Sequence, residues 1–144
     1  MQLLASAKHR YHEVSPLDGR RRPDEPLHLE NTLEGWATVL SRPESGLAIL
    51  GTGKRDLPYD MGFPIPLFAY PHDGSAKSSL RGRAHVFKMM DQHAFVTIPA
   101  DLTLKPGDVV SLGMSYPCTA FDKMRLVPII DDEHVVIDAV LTYF

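Results

Sequence analysis

The stretch Met114-Ser115-Tyr116-Pro117-Cys118-Thr119-Ala120-Phe121-Asp122-Lys123 holds the densest collection of chemically capable side chains in the chain. It offers a soft thiolate donor at Cys118, a phenol at Tyr116, hydroxyls at Ser115 and Thr119, and a carboxylate at Asp122. A thiolate suits borderline metal ions and covalent chemistry. A lone cysteine is more often a small buried hydrophobe, and that reading stands beside the chemical one. The stretch follows one expected strand and precedes another. It is therefore a loop carried by a sheet, the setting in which sites tend to be placed.

Other candidates are weaker. Gly51-Thr52-Gly53-Lys54 invites a phosphate-loop reading, which fails on spacing. A Walker loop needs four residues before its Gly-Lys pair and a hydroxyl after the lysine, whereas Arg55 follows here. A glycine-bounded strand exit is the better account. The seven histidines are scattered, with no His-x-x-x-His pair. His9 and His12 lie in a polar leader. His93 stands at an expected hairpin, where it is either a solvated turn residue or a neighbour of the loop at 114–123.

The elements that must position these groups read as strands. Trp36 to Leu40 and Leu47 to Leu50 flank a turn at Arg42-Pro43-Glu44-Ser45-Gly46. Ala84 to Met90 and Ala94 to Ile98 flank Asp91-Gln92. Lys105-Pro106-Gly107-Asp108 turns into a strand at Val109 to Met114. Arg125 to Ile130 turns at Asp131-Asp132 into His134 to Tyr143. In that final strand Val135, Ile137, Ala139, Leu141 and Tyr143 share a face, which predicts packing mainly on one side. Leu57 to Ser79 carries Pro58, Pro64, Pro66 and Pro71, which argues for a long ordered loop and against a central strand. Residues 1–34 form a leader to which only a short helix over 1–11 is assigned, ahead of one β-domain at 35–144. Several short strands with turns every ten residues or so predict a mainly β fold, a small barrel or sandwich with long loops.

The 144 residues suffice for one domain with a real core. Fifteen basic against 18 acidic residues give a net charge of −3. That argues against a nucleic-acid or anionic-membrane binder, which needs a concentrated basic surface. Arg20-Arg21-Arg22 sits beside Asp24 and Glu25 and reads as a solvated loop. One cysteine excludes a disulfide framework within the chain and fits a reduced, cytoplasmic setting. No apolar run approaches membrane-spanning length, and the first residues are too soon interrupted by Lys8, His9 and Arg10 to read as a signal peptide.

Ser115-Tyr116-Pro117-Cys118-Thr119-Ala120-Phe121-Asp122-Lys123 resembles the Ser-His-Pro-Cys-Thr-Thr-Phe-Asp-Lys signature of D-serine dehydratase and D-threonine aldolase-like enzymes. Pro106-Gly107-Asp108-Val109-Val110 before it is similar, and so are Val127-Pro128 and Ile137-Asp138-Ala139-Val140 after it. Upstream, Ser41 to Ile49, Gly53-Lys54-Arg55-Asp56 and Gln92-His93 resemble further blocks. The likeness runs from Gly35 to Phe144.

The resemblance implies the carboxyl-terminal β-domain of a pyridoxal-phosphate lyase acting on D-amino acids. In such enzymes a (β/α) barrel carries the Schiff-base lysine, and the β-domain adds a divalent metal, zinc or manganese, through a His-x-Cys pair. The metal assists departure or cleavage at the substrate's β-hydroxyl. By this resemblance Cys118 and Tyr116 occupy the metal positions, with His93 and Asp122 as neighbours. Tyr116 replaces the imidazole with a phenol that must lose a proton before it ligates well. None of the six lysines stands in a recognisable cofactor context, so no catalytic or cofactor-binding residue is assigned. Two functional classes follow. The chain is a metal-site domain that acts with a pyridoxal-phosphate barrel, or it is a binding or oligomerisation module, or an inactive product, derived from that family. A homodimer or a barrel partner is expected in either case, because surface that faced a barrel is apolar.

Overall fold

Alternation of buried and open side chains starts three residues before Trp36 and runs to Leu40, within a strand that extends to Glu44 and is the longest among the described residues. The computed structural model describes residues 2–6 (through their backbone), 32–114, 116 and 118–143. In chain order the strands are β1 (Gln2–Ser6), β2 (Leu33–Glu44), β3 (Leu47–Leu50), β4 (Ile65–Tyr70), β5 (Ser78–Ser79), β6 (His85–Met89), β7 (Ala94–Thr97), β8 (Val109–Gly113), β9 (Leu126–Ile130) and β10 (Val136–Leu141), with one helical turn, α1 (Cys118–Phe121), before β9.

Strand β2 organises the sheet by changing partners along its length. Its first half pairs with β1 on one edge and β8 on the other. Past Val39 the register shifts, and the second half pairs with β3. Such shifts bend a strand and increase its twist. The described strands thus form one curled sheet in the order β10-β9-β1-β2-β3-β7-β6, with β8 joining β2 to β4 and β4 joining β5. The mainly β expectation is met as a half-barrel. Inward-pointing Ala37, Val39, Leu50, Leu67, Leu80, Val96, Val110, Leu112 and Val127 fill its hollow side. Burying each Val or Leu contributes about 1.5–3 kcal/mol before chain entropy is subtracted.

Three expectations need correction. Residues 2–6 are strand β1, not the start of a short helix; residues 7–31 lie outside the described residues. Strand β4 lies inside the stretch expected to be loop, hydrogen-bonded to both β5 and β8. Pro66 is tolerated there because the register breaks between Pro66 and Phe68, where the ladder is already interrupted. Finally, β10 is exposed along its whole length rather than packed on one side, because among the described residues no second layer covers either of its faces.

The β9–β10 hairpin is nevertheless anchored. The Asp131 carboxylate accepts the N–H groups of Glu133 and Val135. His134 takes the left-handed backbone conformation (φ 63°) and sets its ring edge-on to Trp36 and Tyr70, which stack on each other at 4.7 Å. Those contacts offset the steric cost of a non-glycine residue in that region.

Candidate active-site face

The loop between β8 and β9 is held from below and from one side. Ala120 of α1 is buried, and Met114, Phe121 and Met124 pack against the core. Thr119 Oγ1 donates to the Asp60 carboxylate at 3.1 Å, and Lys123 Nζ donates to the Lys54 carbonyl at 3.1 Å. The segment 53–62 is therefore clasped to the loop at two points. Lys54 also lies over the Tyr59 ring, 5.4 Å from its centre.

The same segment grips the β6–β7 hairpin on which His93 stands. Lys54 and Arg55 donate their N–H groups to the carbonyls of Met90 and Asp91 at 2.9 and 3.1 Å. Asp56 accepts the Gly53 N–H at 2.8 Å. A side chain at Gly53 would meet the Asp91 backbone at 2.4 Å, so only glycine allows this approach. At Gly35 a Cβ would meet the Leu57 side-chain tip at 2.6 Å, a flexible neighbour that would have to shift. The hairpin, the segment 53–62 and the loop 114–123 thus form one connected end of the sheet. His93 joins it through Lys54, and among the described residues no contact links His93 to Tyr116 or Cys118. Asp122 is exposed beyond α1.

Tyr116 and Cys118 are both exposed and interact with each other. Their hydrogen bond is the main cause that holds the Tyr116 phenol above its usual pKa; the Cys118 charge, partial desolvation and the Asp60 carboxylate add to it. The raised pKa keeps the phenol neutral at neutral pH. Asp60 is the member of this group that sequence reasoning missed. The segment that carries it also exposes Tyr59, Met61, Phe63 and Ile65, Met61 by 72%.

A family described as "Putative serine dehydratase domain" matches residues 32–130. The chain belongs to that family. Solved structures repeat its fold at low identity. D-threonine aldolase from Filomicrobium marinum superposes with a TM-score of 0.62 at 20% identity, over 78% of this chain and 28% of that one. An alanine racemase-like protein from Idiomarina loihiensis gives 0.59 at 14%, over 77% and 31%. D-threo-3-hydroxyaspartate dehydratase from Delftia sp. HT23 gives 0.57 at 13%, over 78% and 32%. No curated protein matches the sequence. This serine dehydratase-type domain spans less than a third of the length of each of the three solved proteins. Among the described residues no helix is long and apolar enough to cross a membrane.

For a divalent ion, the described residues hold no cluster of three or more His, Cys, Asp or Glu donors. Cys118 and Tyr116 are adjacent, but the phenol is biased toward its protonated form, the wrong one for ligation. For pyridoxal phosphate, Lys54, Lys77 and Lys88 lie over aromatic rings and Lys123 donates to a backbone carbonyl. Neither group fits this domain alone, and no reaction step is derived through either.

Proposed function

We propose that this chain is the site-completing β-domain of a pyridoxal-phosphate-dependent D-amino-acid dehydratase, deaminase or aldolase, and that it does not catalyse by itself. The observation that carries the reading is the connected end of the sheet, where Asp60 holds Thr119 of α1 beside Tyr116 and Cys118, in a domain of the serine dehydratase family. In this reading a barrel supplies the cofactor and its lysine. The exposed apolar side chains of the 59–65 segment exclude water from the junction. The Tyr116 hydroxyl is held as a proton donor, and Asp60 fixes the α1 turn through Thr119. Cys118 retains the family's metal position, and the barrel or a second chain completes the donor set.

The test is reconstitution. The isolated chain, titrated with pyridoxal phosphate, gives no imine absorbance. Mixed with a barrel encoded in the same frame or beside it, the pair gains that band and turns over D-serine or a β-hydroxy-D-amino acid. An imine band from the isolated chain, or an inactive but verified complex, overturns the reading. The competing reading, a binding or assembly module, is favoured by the bare strand β10, which lies outside this end of the sheet.

A further inference from the structure

The side of the sheet opposite the core carries a row of half-exposed rings, Trp36 on β2 and Phe68 and Tyr70 on β4. Trp36 and Tyr70 stack across β8, which runs between these two strands. Two cations settle on the other end of the row. Lys77 Nζ lies 4.8 Å from the centre of the Phe68 ring and 5.6 Å from that of Tyr70, and the Arg81 guanidinium lies 5.6 Å from that of Phe68. Both residues are exposed, and neither has a carboxylate partner among the described residues. Arg83, close by in sequence, instead pairs with Asp101 at 2.6 Å. Glu34 stands at the opposite side of the row, on β2, and accepts the Trp36 Nε1–H at 3.1 Å. Positive charge therefore gathers beside β5, which Lys77 and Arg81 bracket in sequence. Leu80 N–H donates to the Leu67 carbonyl, and Ser79 lies opposite Phe68. Bonded and non-bonded positions alternate in an antiparallel pair, so the N–H and C=O of Ser79 face away from β4. No strand pairs with that edge among the described residues.

We propose that the β5 edge docks an extended acidic segment of a partner polypeptide, its main chain against Ser79 and its carboxylates on Lys77 and Arg81. Pairing at a strand edge supplies main-chain hydrogen bonds, and the flanking charges supply selectivity. The rings hold both cationic heads in place, so less side-chain freedom is lost when a carboxylate arrives. Both charges lie no more than 5.6 Å from one ring centre. Carboxylates at alternate positions of an extended strand, ~7 Å apart, reach both. A nucleic acid fits this face less well. The cations already lie over Phe68, where a base would stack, and Glu34 repels phosphate from the Trp36 side. The inference is independent of the proposed function, because it uses none of the residues at the loop end of the sheet.

The test is fluorescence anisotropy with the full chain and a labelled decapeptide of alternating glutamate and threonine, at low ionic strength. The peptide binds, added salt weakens the binding, and the same peptide with glutamine for glutamate binds at least tenfold more weakly. Lys77→Glu combined with Arg81→Glu, with circular dichroism unchanged, loses at least tenfold in affinity. Lys88→Glu, which reverses a cation lying over Phe95 on the β6–β7 hairpin, keeps it. If the double reversal fails to fold, Lys77→Gln with Arg81→Gln takes its place, and the comparison of the two peptides decides in either case. No binding, equal binding of the two peptides, unchanged affinity in the folded double variant, an equal loss from Lys88→Glu, or tighter binding of a single-stranded oligonucleotide of the same charge overturns the proposal.

Discussion

Among single residues Tyr116 separates ancestry from activity most sharply. The family signature places an imidazole where this chain has a phenol, and the structure gives that phenol a raised pKa through its bond to Cys118. An imidazole ligates borderline metals in its neutral form near pH 7, whereas a phenol does not. Tyr116→His is expected to raise zinc affinity at least tenfold in a competition titration with a chromophoric chelator. Equal affinity in both forms would remove Cys118 from the metal-ligand position. The residue scale also shows what sequence alone leaves hidden. Tyr116 and Cys118 could be paired on paper because one residue separates them. Asp60 could not, because it reaches Thr119 across 59 positions and its neighbours signal only a proline-rich loop. The tertiary clasp of 53–62 onto α1 makes it part of the cluster, and local pattern carries no information about such a clasp.

At the scale of elements, the turn Lys105-Pro106-Gly107-Asp108 shows how one buried carboxylate fixes a strand entry. Asp108 is nearly inaccessible, and burial alone would raise its pKa. The N–H of Lys105, with the ring and backbone N–H of His72, outweighs that and holds the carboxyl below its ordinary value. A depressed folded-state pKa contributes stability above the unfolded value, near 4, and loses it as pH falls through the folded value. The melting temperature should therefore drop as pH is lowered below about 4. Asp108→Asn should cost about 1.5–3 kcal/mol at neutral pH, as expected for hydrogen bonds to a charged group. It should also flatten the acid limb of melting temperature against pH; an unchanged limb would show that Asp108 does not carry it. The strands either side of this turn were legible because period-two patterning and turn residues agree. β4 was not, since four prolines argue for loop and only the register break at Pro66 reconciles them with a paired strand. For β10, the predicted packed face is absent, because a pattern within one strand does not say whether another layer covers either face, and the register shift between Val136 and Asp138 also breaks the alternation.

Across the whole molecule, strand β1 has the least local and most consequential placement. It pairs antiparallel with β2 and parallel with β9, at Ala5–Ile129 and Ser6–Ile130. It therefore joins the β9–β10 hairpin to the rest of the sheet. A variant lacking residues 1–6 should lose that junction and leave the hairpin attached mainly by the His134 contacts to Trp36 and Tyr70. The expected result is rapid amide hydrogen exchange in residues 126–141 while β2, β3 and β7 stay protected, with melting at least several degrees lower. Uniform protection after truncation would contradict this placement.

The same strand imposes an order on biosynthesis. β1 leaves the ribosome before every other described strand, yet its parallel partner is more than a hundred residues behind it. Until Ile130 has emerged, one edge of β1 lacks its final neighbour, although the β2 side can already zip. Nascent chains therefore carry an open strand edge while residues 7–130 are made, when crowding on polysomes favours pairing between neighbours. Fast elongation over residues 7–130, or a chaperone bound to β1, would shorten that exposure.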